Sequence, residues 1–118
     1  MPFMLLYIGD GRAFDAEAVY QALDKSGAVR RDAADRSDLI VYDYELGNDF
    51  TTIRIKDDLE TIVVDGSDAA SFDVALKLQR EYDEPIHVVD EAYSFDLILD
   101  EYDSTAALLK AAIKTSFG

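Results

Sequence analysis

The side chains that could support chemistry in this 118-residue chain are one histidine and 25 carboxylates, and the chain has no cysteine. The histidine, His87, lies between Ile86 and Val88 in a short apolar run, which favours a structural or partner-contacting role over catalysis. Nucleophilic catalysis needs a nucleophile, a base and a group that orients the base, and the sequence contains neither a thiol nor a GxSxG turn. We therefore expect that the protein is not an enzyme and has no catalytic residues.

Neighbouring carboxylates, as in Asp90-Glu91 and Asp100-Glu101, could act as a general acid and base or hold a metal ion. With 25 acidic residues in 118, such neighbours arise by chance, so a solvated surface is the favoured interpretation. A calcium loop needs oxygen ligands at alternating positions, with a central glycine and a closing glutamate. The segments 10–12 and 65–68 lack that spacing, so we expect no metal site and no cofactor.

The carboxylates are densest between Glu81 and Asp103, a segment with nine acidic residues, four aromatic residues and no Lys or Arg. Apolar and polar residues mostly alternate over 94–100, which predicts a strand with its apolar side turned inward. On this interpretation Asp96 and Asp100 point into solvent from a rigid strand. An adjoining loop and the preceding helix end add further acidic side chains.

A second acidic segment without basic residues spans 37–53. In its strand, Ile40, Tyr42 and Tyr44 alternate with residues that become polar toward the end of the strand. Tyrosines are common interface anchors and carboxylates pair with arginine, so both segments suit a basic protein surface. The predicted partner-binding residues of the two segments are Asp83, Glu84, Asp90, Glu91, Tyr93, Asp96, Asp100, Asp43, Tyr44 and Glu45.

The formal charge of −14 disfavours nucleic acids and anionic membranes as partners, because their phosphates attract Lys and Arg. The first eight residues are apolar but lack a basic stretch and a cleavage site, so we predict a core strand there and no signal peptide. No apolar run approaches the length of roughly 18 residues that a membrane span needs. We expect a cytoplasmic protein, either a monomer or a weak dimer.

The elements that must position these residues follow the order β-α-β-β-β-α-β-β-α. Short apolar runs predict the strands, and apolar residues at helical spacing predict the helices, the first of which begins after Asp15 and stops at Gly27. The mixed-charge segment 28–38 is interpreted as a loop, and Tyr82 fits either the core or the surface. We predict one α+β domain over 1–118, with a mainly antiparallel sheet packed by three helices.

Two segments resemble parts of response-regulator receiver domains. Residues 38–43 are similar to the strand that carries the phosphoacceptor, here Asp43, and Ile8-Gly9-Asp10 lies where the acidic metal pocket of those domains begins. Only one helix separates the two acidic sites, where a receiver has an additional strand and helix. A receiver-like phosphoacceptor or metal-binding signalling domain is therefore kept as an alternative.

One block of the chain contains Phe72, Leu76-Lys77-Leu78-Gln79, Pro85-Ile86 and Asp90-Glu91-Ala92-Tyr93-Ser94-Phe95. In this block, in its size and in its cysteine-free acidic α+β pattern, the chain resembles the small acidic immunity proteins of bacterial contact-dependent-inhibition and other polymorphic toxin systems. The resemblance implies a cytoplasmic inhibitor that binds one cognate toxin, often a basic nuclease, and masks its active site. A salt-adapted protein of other function is a further alternative, since such proteins carry excess Asp spread over the whole surface.

Overall fold

A computed structural model describes residues 3–32, 39–66 and 69–116, without the side chains of 32 and 114–116. Within these ranges the chain forms seven strands, three α-helices and one short 3-10 helix. In chain order the elements are β1 (Phe3–Tyr7), α1 (Ala16–Ser26), β2 (Val29–Asp32), β3 (Leu39–Leu46), β4 (Asp49–Lys56), β5 (Ile62–Asp65), α2 (Ala69–Glu81), β6 (His87–Asp90), β7 (Asp96–Ile98), the 3-10 helix (Leu99–Glu101) and α3 (Thr105–Ser116).

All seven strands belong to one sheet in the order β2-β3-β4-β5-β1-β6-β7, and every neighbouring pair is antiparallel. The prediction of an α+β domain with an antiparallel sheet and three helices is confirmed. So are the two ends of the first helix. The Asp15 side chain accepts a hydrogen bond from the Glu17 backbone N–H, and Gly27 ends the helix with φ of 95°.

Two sequence predictions about local structure were wrong. The segment 28–38 contributes the edge strand β2, which pairs with β3 from Val29 to Asp32, while residues 33–38, including Asp38, lie outside the described residues. Edge strands often carry charged side chains, so Arg30 and Arg31 weaken the apolar signal of this one. Asp100 leaves the strand, because β7 ends at Ile98 and the chain turns into the 3-10 helix.

The two faces of the sheet differ in what covers them. The face packed by the helices holds the core, including Met4, Leu6, Tyr42, Ile53 and Val88. The other face, which we call the open face, consists of the odd-numbered residues of β1, β2, β3, β5 and β6 and the even-numbered residues of β4 and β7. Residues directly opposite in the register share a face, and the core cluster contains no open-face residue among those described.

The alternating strand directions also define two ends of the sheet. The turn at Gly47-Asn48 between β3 and β4 lies at the same end as the turn 91–95 between β6 and β7, with Phe3 and Asp65 beside them. We call this end the Gly47 end. The opposite end, which we call the Pro85 end, holds the loop after β1, the turn 57–61, the loop 82–86 and the 3-10 helix.

Candidate functional site

The turn between β6 and β7 is held by three hydrogen bonds to its backbone N–H groups. Asp90 accepts two hydrogen bonds, one at its carbonyl from the Tyr93 N–H at 3.0 Å and one at Oδ1 from the Ser94 N–H at 2.6 Å. The Glu91 N–H donates to the Phe3 carbonyl at 3.2 Å, which fixes the turn to β1. Asp90 therefore shapes the turn, while Glu91 and Tyr93 are left exposed.

Tyr93 is presented to solvent from a left-handed backbone. Its φ is 54° and its side chain is 76% exposed. Such a conformation costs a non-glycine residue about 1 kcal/mol. Leu59 has a similar φ of 58°, but its side chain packs against the core. Burial of the ring cannot offset the cost at Tyr93, so the hydrogen bonds of the turn hold this tyrosine outward.

The β3–β4 hairpin places a second exposed aromatic side chain, Phe50, at the same end of the sheet. Phe50 is 55% exposed and lies opposite Glu45 in the register. Together with Val29 and Asp43 these two residues line a surface concavity. Sequence reasoning missed Phe50, although the outward alternation of Arg54 and Lys56, continued back along β4, would have found it.

Large exposed hydrophobic side chains are concentrated at the Gly47 end. Five are exposed in the described part of the chain, and only Ile113, on α3, lies elsewhere. Exposed apolar side chains grouped in one place mark interaction surfaces more often than isolated ones do. The carboxylates of Glu45, Asp49 and Glu91 lie at the same end. The four exposed hydrophobic residues at this end are Val29, Leu46, Phe50 and Tyr93.

Tyr44, predicted to bind a partner, is instead part of the core, with only 3% of its surface exposed. Its Oη donates a hydrogen bond to Asp73 and accepts one from Lys77 Nζ at 2.6 Å. Thr105 Oγ1 donates to the same carboxylate at 2.9 Å. The correction follows from strand alternation, because Tyr44 lies on the same side of β3 as Tyr42.

These contacts, which we call the Tyr44 cluster, connect β3 with α2 and α3. Burial raises the pKa of Tyr44, and its hydrogen bond to Asp73 raises it further, so the phenol stays neutral. Burial alone would raise the pKa of Asp73, but the hydrogen bonds from Tyr44, Thr105 and Lys77 outweigh it and lower that pKa. A neutral tyrosine and an ionised, fully engaged carboxylate indicate a structural connection and not an activated nucleophile.

Asp43 lies on the open face and is paired. Arg31 Nε donates to Asp43 Oδ2 at 2.8 Å, and Thr52 Oγ1 donates to Oδ1 at 3.3 Å. The Arg31 guanidinium offsets the charge of this carboxylate. Asp43 should therefore attract a cationic partner less strongly than Glu45, which is exposed two residues later.

Asp96 lies on β7 as predicted and faces the open side of the sheet. Tyr7 Oη lies 3.0 Å from Asp96 Oδ2 and 3.1 Å from Oδ1, where it donates its hydrogen bond. The ring of His87 stacks on Tyr7 with 4.9 Å between centroids, and its Nδ1 lies 4.0 Å from Asp96 Oδ1. Burial, followed by the hydrogen bond to Asp96, raises the pKa of Tyr7.

Asp83, Glu84 and Asp100 lie at the Pro85 end, apart from the two turns. Arg12 Nη2 donates to Glu84 Oε1 at 2.7 Å, so this carboxylate is paired. The buried Gln79 fixes the loop: its Nε2 donates to the Glu84 carbonyl at 2.9 Å and its Oε1 accepts from the Ile86 N–H at 2.6 Å.

Tyr82, left open between core and surface, is buried. Its Oη accepts a hydrogen bond from the Asp15 N–H at 2.7 Å, and its ring meets Phe14 edge-on. Asp83 and Asp100 are exposed, as are further acids at the same end, Asp57, Asp58 and Glu60.

The receiver-like alternative does not fit this geometry. Asp10 follows β1 at the Pro85 end, whereas Asp43 lies within β3, with β4 and β5 between the two strands. Three strand spacings amount to about 14 Å, too far for one metal ion to bridge two carboxylates. Among the described residues, no group of three or more His, Asp or Glu side chains is arranged to hold a metal.

Comparison with protein-family models, with curated proteins and with solved structures finds no match for this chain. In the ranges that the structure describes, no helix has both the length and the apolar character required to cross a bilayer. Of the predicted residues, the fold gathers Glu45, Asp90, Glu91 and Tyr93 at the Gly47 end, with Asp43 beside them.

Proposed function

We propose that this chain binds a cationic protein partner through its Gly47 end, and that it is an immunity protein whose partner is a toxin. The observation that carries the proposal is the grouping, at one end of the sheet, of carboxylates with four of the five large hydrophobic side chains that are exposed among the described residues. The size, acidity and α+β pattern of the chain, which resemble those of immunity proteins, support the toxin as the specific partner.

The chemistry of this end favours arginine-rich surfaces. An exposed tyrosine or phenylalanine ring offers its face to a guanidinium group, and a neighbouring carboxylate can pair with the same group. Tyr93 is flanked by Glu91 in its turn, and Phe50 by Glu45 across the hairpin. Each aromatic anchor therefore has its own carboxylate beside it.

The mode of inhibition would be steric and electrostatic. A formal charge of −14 speeds the capture of a cationic partner and competes with nucleic acid for the same basic groups. The rigid turn around Tyr93 lowers the conformational entropy lost on binding, because the ring is already held outward. The immunity protein would cover the toxin active site and carry out no reaction itself.

The test is co-expression with the basic C-terminal domain of a toxin encoded next to this chain, read out as growth rescue and as affinity by calorimetry. The Glu45→Lys/Glu91→Lys variant should lose rescue and bind at least tenfold more weakly, because the reversed charges repel the partner. Asp58→Lys/Asp100→Lys changes the formal charge equally from the Pro85 end and should retain rescue. Equal loss in both variants would contradict the Gly47 end as the binding surface.

Salt adaptation is a second candidate, favoured by one observation. The Pro85 end is also acidic, with Asp57, Asp58, Glu60, Asp83 and Asp100 exposed, and no large hydrophobic side chain is exposed at its described residues. A salt-adapted protein should unfold at low ionic strength and gain stability up to molar salt, because cations screen its self-repulsion. Full stability in about 0.1 M salt would exclude this candidate.

A further inference from the structure

The open face of the sheet is apolar at its centre. An antiparallel sheet with one solvated face usually alternates apolar and polar residues, yet β1 is apolar on both sides. On the open face, Phe3, Leu5 and Val63 are partly exposed, while Val89 is 4% exposed without belonging to the core cluster. No helix of the described chain covers this apolar surface, and exposed apolar patches of this kind mark interaction sites.

The charges of the open face nearly cancel, in contrast to the rest of the molecule. Arg54 pairs with Asp65, and Arg31 pairs with Asp43. Lys56, Glu45 and Asp96 complete the charged residues of this face. The net charge of these open-face residues is thus −1, whereas the formal charge of the chain is −14.

We propose that the open face is where a second copy of this chain docks, sheet against sheet, to form a two-fold dimer. At the centre of this face, away from Glu45 and Phe50 at the Gly47 end, apolar side chains and paired carboxylates offer a cationic partner little, whereas two copies of an acidic chain can approach each other where their own charge is balanced. Val63 and Leu5 are direct neighbours at the centre of the sheet, so their apolar side chains form the middle of the contact.

The arrangement of side chains is compatible with such a two-fold contact. An axis parallel to the strands and between β5 and β1 lays β5 of one copy over β1 of the other, β4 over β6 and β3 over β7, and leaves the edge strand β2 without a counterpart. Val63 of each copy then meets Leu5 of the other. Arg54 of each copy lies over β6 of the other, beside the strand β7 that carries Asp96.

The size of the face predicts a weak dimer. The six overlapping strands are five spacings wide, about 24 Å, and strands of this length are roughly 15 Å long, so two copies bury on the order of 700 Å² as a flat footprint. Stable specific interfaces bury about 1,200 Å² or more. The dissociation constant should therefore be on the order of 100 µM.

Salt should have opposite effects on the stability of this dimer and on binding to a cationic partner. The excess negative charge of each copy lies away from the interface, so repulsion between copies falls as salt shortens the Debye length. Raising salt should strengthen self-association, whereas it weakens attraction between an acidic chain and a basic protein. Failure of the dimer proposal can therefore be told apart from failure of the proposed function.

The test is sedimentation equilibrium of the purified chain from about 10 to about 500 µM, spanning the expected dissociation constant, at about 0.05 and about 0.5 M NaCl. The dimer fraction should rise with concentration and with salt. Leu5→Glu should weaken the dimer more than tenfold, because it buries an unpaired charge. Ile113→Glu is the matched control on α3 and should dimerise as the parent does.

A second, milder variant tests the same contact in case Leu5→Glu does not fold. Val63→Thr keeps the shape and the strand preference while adding a hydroxyl, and should weaken the dimer about threefold with unchanged circular dichroism. A chain that stays monomeric at all concentrations would overturn the proposal. So would a dimer that salt dissociates, or one that Val63→Thr and Leu5→Glu leave intact, since that dimer would use another surface.

Discussion

Tyr44 and Tyr93 have similar neighbours in the sequence, but Tyr44 is buried and Tyr93 is exposed. Each lies close to carboxylates in a segment without basic residues. Tyr44 is buried and exchanges hydrogen bonds with Asp73 and Lys77, whereas Tyr93 stands 76% exposed at the tip of a turn. Composition alone therefore does not separate a structural tyrosine from a candidate interface tyrosine. The partners that the fold brings from distant parts of the chain make that distinction.

The comparison extends to the acids near each tyrosine. Asp73, distant in sequence from Tyr44, accepts hydrogen bonds from two elements and is ionised in a mostly buried place. Asp90 holds its own turn, and Glu91 is exposed. Removing the Asp73 carboxylate from the Tyr44 cluster should thus affect stability, and removing the Glu91 carboxylate from the Tyr93 turn should affect binding.

The largest effect should come from Asp73→Ala, which we expect to lower the free energy of unfolding by about 2–3 kcal/mol. The change leaves the Tyr44 hydroxyl and the Lys77 ammonium without their carboxylate. Urea denaturation followed by circular dichroism measures it, and Glu91→Ala is the exposed control with an expected change below about 0.5 kcal/mol. Equal losses in the two variants would remove the distinction between the two regions.

A related effect should appear in the dependence of stability on pH. Because the fold lowers the pKa of Asp73, its contribution is present above the unfolded-state pKa and is lost as pH falls through the folded-state pKa. Asp73→Asn should therefore show a shallower loss of stability on acidification than the parent chain. Thermal unfolding between about pH 2 and pH 6 tests this, and parallel curves would contradict it.

A smaller effect is expected from Tyr44→Phe, which removes one hydroxyl and keeps the ring. We expect a loss of about 1 kcal/mol of unfolding free energy, because the hydroxyl connects Asp73 and Lys77. Tyr93→Phe is the matched control and should leave stability unchanged. If the two substitutions cost the same, the hydroxyl of Tyr44 does not contribute to the connection between β3 and the helices.

The smallest effect on stability should come from Tyr93→Gly, and it should have the opposite sign or be close to zero. Glycine adopts the φ of 54° without a Cβ clash, so unfolding free energy should be unchanged or raised by about 0.5 kcal/mol. Binding to a cationic partner should nevertheless fall at least tenfold, because the ring is the anchor. A variant that loses stability but keeps its affinity would reverse the assignment of Tyr93.

Much of the fold could be predicted because its signals are local. The cap at Asp15 and the stop at Gly27 both depend on neighbouring residues, and both predictions were confirmed. The strand β2 could not be predicted from its own residues, since four mixed-charge positions become a strand only by pairing with β3.

The candidate site was only partly predictable, for a similar reason. Glu91 and Tyr93 are in an exposed turn, as the sequence indicated, but Phe50 belongs to the same surface only because antiparallel pairing returns two separate turns to one end of the sheet. Arg12 pairs with Glu84 and Arg31 pairs with Asp43, so these two predicted carboxylates are already occupied within the chain. Ion pairs between residues distant in the chain leave no local pattern.

By itself the sequence determined most of the strands and helices, with β2 as the exception, and where the carboxylates are densest, because these follow from periodicity and composition. Only the tertiary structure decided which carboxylates are paired, which tyrosine is buried and which face of the sheet is nearly neutral. Each of these depends on strand register, which sets the neighbours across the sheet and is determined by the whole fold.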